Sequence, residues 1–73
     1  MDFLDAAVAV LREEDAPLHW TKIQDLALKR GYLDPFTQPE IRRNMLAALA
    51  EGARSGIVVR TEPKGTYALG TGS

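Results

Sequence analysis

The stretch from Thr37 to Gly56 constrains the fold more than any other part of the chain. Ile41, Met45, Ala48 and Leu49 recur there at helical spacing, and at about 100° per residue they form one apolar stripe. Glu40, Arg43, Asn44, Ala47, Glu51 and Arg54 fall on the other side. Thr37 and Glu40 have capping-box spacing, Pro39 sits where a first turn tolerates proline, and Gly52 or Gly56 supplies an end. The spacing therefore predicts a long helix held from one side and free to present the other.

The preceding residues read as two shorter helices. Asp2 stands at an N-cap position, and Phe3, Leu4, Ala7, Val8, Val10 and Leu11 give a broad apolar face over about Phe3 to Glu14. A face that wide calls for two packing partners. Glu13, Glu14 and Asp15 crowd the end where the helix dipole disfavours acids, so they mark either a solvated acidic end or a contact. Pro17 stops the helix, and Leu18 to Trp20 reads as a short extended segment. Thr21 and Gln24 repeat the capping-box spacing, which predicts a second helix over about Lys22 to Arg30. Ile23, Leu26 and Ala27 face inward, Gly31 caps the end, and Lys29 and Arg30 complement the dipole.

After the long helix come Ile57 to Arg60, rich in β-branched residues, and the alternating Thr66 to Leu69, joined by the turn Glu62-Pro63-Lys64-Gly65. A lone hairpin is marginal, so pairing with Leu18 to Trp20 in a three-stranded sheet is expected. Helix, short strand, helix, helix, hairpin is the order of a winged helix-turn-helix, mainly α with a small β-sheet. The expected core is Leu4, Val8, Leu11, Ile23, Leu26, Ile41, Met45, Leu49, Val59 and Tyr67. One domain over 1–69 and a polar tail at 70–73 account for all 73 residues.

Composition narrows the function. There is no cysteine and a single histidine, which argues against a thiolate or histidine metal site. No run approaches the roughly 20 apolar residues of a membrane span. No glycine-rich phosphate loop, paired carboxylates or nucleophile–base motif is present, so neither an enzyme nor a small-molecule substrate or cofactor is expected. His19 and Trp20 read as packing residues rather than chemistry. The net charge of −1 hides an asymmetry: residues 16–73 carry eight basic residues against five acidic ones, behind an acidic first helix. That balance is compatible with nucleic acid. Arginine outnumbers lysine six to three, which together with the alanine content points to a GC-rich bacterial source and a nucleoid-associated cytoplasmic location.

Two motifs carry a resemblance. Pro17-Leu18-His19-Trp20, followed by Ile23, Leu26-Ala27 and Gly31, and the ending Gly65-Thr66-Tyr67-Ala68-Leu69, resemble the HARE-type helix-turn-helix family over about Phe3 to Leu69. The resemblance implies a winged helix of the kind fused to chromatin regulators, some restriction enzymes and the delta subunit of bacterial RNA polymerase. Such modules bind DNA or link larger proteins to it, and the delta-subunit branch works through protein contacts. One departure is Gln38 between Thr37 and Pro39, where the family places threonine directly before proline.

The function expected is a monomeric, non-enzymatic module that tethers a larger protein to double-stranded DNA. Arg43 and Asn44 on the open side of the long helix have the chemistry to bond guanine and adenine edges, with Ala47 allowing close approach. Arg42 lies nearer Leu46 and Leu49, where its stem can pack at the core edge. Arg54, Arg60 and Lys64 are expected at phosphates, as are Thr21 and Lys22 at the start of the second helix. The alternative is a protein-interaction module of the transcription or chromatin machinery on the same fold, using the acidic first helix or an apolar surface.

Overall fold

A computed structural model describes residues 1–70. Its elements are α1 (Phe3–Glu14), β1 (Leu18–His19), α2 (Trp20–Lys29), α3 (Ile41–Ser55), β2 (Val58–Thr61) and β3 (Thr66–Leu69). The strands form one antiparallel sheet in the order β1-β3-β2. Three helices packed on a small sheet whose outer hairpin forms the wing make this a winged helix-turn-helix, as the sequence predicts.

Local chemistry sets most of the boundaries. The Asp2 carboxylate accepts from the Asp5 N–H at 2.8 Å and starts α1. Asp15 ends α1 in the left-handed conformation. Gly31, at φ 76°, closes α2 with a Schellman pair: its own N–H donates to the Leu28 carbonyl and the Tyr32 N–H to that of Ala27. The turn leads Leu33 into the core, a burial that the expected core residues do not include. Gly56, at φ 84°, ends α3. Gly52 does not; it is buried inside the helix, where Leu4 and Val58 leave no room for a Cβ.

Both capping boxes are corrected. α2 starts at Trp20, not Lys22, because the His19 side chain is the cap: its Nδ1 accepts from the Thr21 N–H and lies 2.8 Å from the Thr21 hydroxyl. Trp20 thus belongs to the helix and not to the strand. α3 starts at Ile41, because Asp34 and Gln38 take the bonds that a Thr37 cap would need. The Thr37 and Gln38 N–H groups donate to the Asp34 carbonyl, and the Gln38 amide reaches the Met1 carbonyl at 2.7 Å. Glu40 takes a left-handed conformation and makes no side-chain cap.

The core holds Leu11, Ile23, Met45, Leu49 and Tyr67 as expected, with Ala6, Ala7, Val10, Ala27, Leu33 and Val58. Leu4, Val8, Leu26 and Ile41 are half-buried at its edge rather than inside it. Val59 is corrected outright. Register pairs Val58 with Leu69 and Arg60 with Tyr67, so Val58 shares the inward face and Val59, opposite Ala68, is 41% exposed.

The acidic end of α1 is a contact. Arg30 Nη1 meets Glu13 at 2.8 Å and Nη2 meets Glu14 at 2.6 Å, while the Tyr32 hydroxyl donates to Glu13. The ends of α1 and α2 are clamped together, so Arg30 serves this pair rather than the dipole of its own helix. Gly70 is not tail either. Its N–H donates to the Ile57 carbonyl at 2.8 Å, and a Cβ there would strike the Gly56 carbonyl oxygen. The rest of the tail expected at 70–73 lies outside the described residues.

Candidate functional site

The site is built where β1, α2, α3 and the wing meet. Pairing of β1 with β3 sets His19 opposite Thr66, and the Trp20 N–H donates to the Gly65 carbonyl at 2.9 Å. Gly65, at φ 91°, passes so close that a Cβ would fall 2.7 Å from His19 Nε2. The wing turn is thereby drawn against the start of α2. Between them and α3 opens a groove of about 460 Å³. Trp20, Leu46 and Tyr67 give it an apolar floor, and Arg60 and Lys64 lie on its wing side. Its lining contains no acidic side chain.

Two guanidinium groups lie over the aromatic rings of this floor. Arg42 lies 5.6 Å from the Trp20 ring centre, and Arg60 lies 5.9 Å from that of Tyr67, its neighbour across the β2–β3 ladder. Each distance is within the range of an ordinary cation–π attraction. Arg42 therefore does more than pack its stem at the core edge. It borders a second, shallower groove with Arg43, Ile41, Glu40 and Leu46, so Leu46 is the ridge between the two.

The remaining predicted residues do not all converge here. Arg43 is on the outer side of α3, its side chain 83% exposed, with a loose 3.3 Å contact to Glu40. Asn44 donates to the Pro39 carbonyl at 2.9 Å, which ties its amide back to the loop that starts α3. The two are adjacent in sequence but are differently committed. Arg54 lies 12 residues beyond Arg42, roughly 18 Å along the axis at 1.5 Å per residue, and pairs with Glu51 at 2.5 Å. Thr21 and Lys22 sit in the first turn of α2, both exposed, with the Thr21 hydroxyl already occupied by His19.

Sequence reasoning groups Arg60 and Lys64 with Arg54 as phosphate contacts and sets Arg42 apart, its stem at the core edge. It misses Leu46, Thr61 and the floor of the groove. The turn at residues 62–65 already sets Arg60 opposite Tyr67, a signal the sequence holds for that part of the groove, whereas nothing local signals Leu46. Thr61 Oγ1 is buried in the wall with no hydrogen-bond partner among the described residues. Away from the site, Phe36 is 94% exposed at the tip of the turn before α3, its N–H held by the Asp34 carboxylate at 2.9 Å.

Among the described residues no helix is long and apolar enough to cross a membrane. No protein-family model, curated protein or solved structure matches this chain.

Proposed function

We propose that this winged helix is a non-enzymatic DNA-binding module that tethers a larger protein or complex to duplex DNA through α3 and the wing. One observation carries the reading: Arg60 and Lys64 of the hairpin lie in a groove whose lining has no acidic side chain, and Arg42 of α3 stands over its Trp20 from the neighbouring groove, which Glu40 also lines. An overall charge of −1 would not attract a polyanion, but a local cluster of this kind does. The exposed Arg43 adds a group able to bond a guanine edge beside that face. The resemblance to the HARE-type family points the same way; with the arginine and alanine usage, it favours a monomer associated with the nucleoid of a bacterial cytoplasm over a nuclear protein.

The test is a titration of random-sequence duplex DNA across salt concentrations. Affinity should fall steeply as salt rises, through release of counterions. Lys64→Ala should weaken every sequence alike and reduce the slope of log affinity against log salt by about one unit. Absence of binding at low salt would reject the reading.

Phe36 supports a second reading, a protein-interaction module. A fully exposed aromatic on a turn fixed by Asp34 and Gln38 has the character of an interface anchor. Under that reading Phe36→Ala abolishes capture by the partner and the basic variants do not.

A further inference from the structure

We propose that the groove between α3 and the wing holds one unstacked nucleotide, so that the module prefers DNA carrying an unpaired base over an intact duplex. This deepens the DNA reading of the same face and rests on it. Intact duplex needs no such cavity, because its phosphates lie on a surface and its stacked bases offer only their edges. Here there is a concavity of about 460 Å³, within the size range of pockets that enclose small ligands. Its floor is apolar and aromatic, suited to the face of a base rather than to a phosphate.

The chemistry of the walls fits that occupant. Arg60 lies over Tyr67 in the groove lining, and Arg42 lies over Trp20 from beside it, which puts two guanidinium groups next to the aromatic surface. Bases splayed out of a stack are held on such aromatic and guanidinium planes. Lys64 and Arg60 lie where the phosphate of the same nucleotide would follow, with no carboxylate in the lining to repel it. Thr61 supplies the polar element. Its buried hydroxyl lacks a partner among the described residues, an arrangement that costs free energy and that a hydrogen bond to a bound base would relieve.

Three probes decide the matter: a short duplex, the same duplex with one unpaired nucleotide at its centre, and the single strand. Trp20 is the only tryptophan, so its fluorescence reports the groove directly. The duplex with the unpaired nucleotide should bind about tenfold more tightly than the intact one. That probe and the single strand should both quench Trp20. Arg60→Ala should bring the two duplex affinities toward parity, whereas Arg54→Ala, at the far end of α3, should leave their ratio unchanged. Both arginines are exposed, so neither variant threatens the fold. Equal affinity for the two duplexes with Trp20 unquenched overturns the nucleotide slot and leaves the DNA interface standing. Binding to none of the three overturns both.

Discussion

Replacing Gly52 by alanine measures how closely α3 lies on the hairpin. In a solvated helix this change would stabilise by about 0.8–1.0 kcal/mol, because alanine is the better helix former. Here the added Cβ would meet Leu4 Cδ1 at 2.9 Å and Val58 Cγ2 at 3.1 Å. Leu4 is half-buried and flexible, so its tip moves aside cheaply. Val58 does not. It is β-branched, fully buried and locked opposite Leu69 in the sheet. Overpacking of this kind costs about 1–3 kcal/mol. Taking the middle of that range against the propensity gain leaves a net loss of about 1 kcal/mol, a fall in Tm of roughly 4–8 °C for a domain this small. The assay is thermal and urea denaturation followed by far-UV circular dichroism. Val58→Ala provides the internal control. With that side chain shortened, the alanine at 52 should become stabilising by its full propensity gain, and the double-mutant cycle should show coupling of the opposite sign to the single change. A Gly52→Ala protein about 1 kcal/mol more stable than wild type in the unmodified background would refute the close approach.

Val58→Ala should itself cost about 2 kcal/mol, while Val59→Ala on the outward face should change stability by no more than about 0.5 kcal/mol; chemical denaturation separates them, and the reverse order would mean that the hairpin register is wrong. The Tyr32 hydroxyl donates to Glu13, and that bond, aided by burial, holds the phenol above its ordinary value near 10. A group whose pKa is raised in the fold adds stability that is complete below its unfolded pKa and is lost as pH rises through the folded value. Ultraviolet titration of the phenolate, with the Tyr32→Phe protein subtracted to remove Tyr67's contribution, should therefore show Tyr32 ionising late, and Glu13→Gln should bring it back down; no response to Glu13→Gln would show that the bond does not form. Arg43→Ala should cost about 1–3 kcal/mol on a preferred duplex and less on random DNA, and equal losses on both would make Arg43 only a phosphate contact.

What was legible in the sequence is what short-range chemistry decides. The bounds of α1 follow from Asp2 and Pro17, and the end of α2 from Gly31, each acting within a turn or two. The starts of α2 and α3 were not legible, because the competitors come from elsewhere. His19 is free to cap α2 only because β1 holds it against the wing. The Thr37 box fails because the Thr37 N–H already donates to the Asp34 carbonyl, in a turn that Gln38 ties to the distant Met1. Val58 and Val59 cannot be told apart by polarity inside an apolar run; the register that the turn at 62–65 sets, pairing Arg60 with Tyr67, decides between them, and the expectation for Val59 did not use it. The groove, by contrast, was invisible. Its basic residues stand in the sequence, but the concavity exists only after β1 pairs with β3 and draws Gly65 onto Trp20. The acidic end of α1, unexplained by helix electrostatics, finds its reason in Arg30 and Tyr32, beyond the reach of any local pattern.

The most direct test of the central claim is residue-resolved NMR of the isotopically labelled protein titrated with duplex DNA at low salt. The account predicts chemical-shift changes concentrated at Trp20, Arg42, Arg43, Leu46, Arg60 and Lys64, with the Arg30–Glu13–Tyr32 clamp unmoved. Changes confined to the clamp and the Phe36 turn, or none at all, would contradict it.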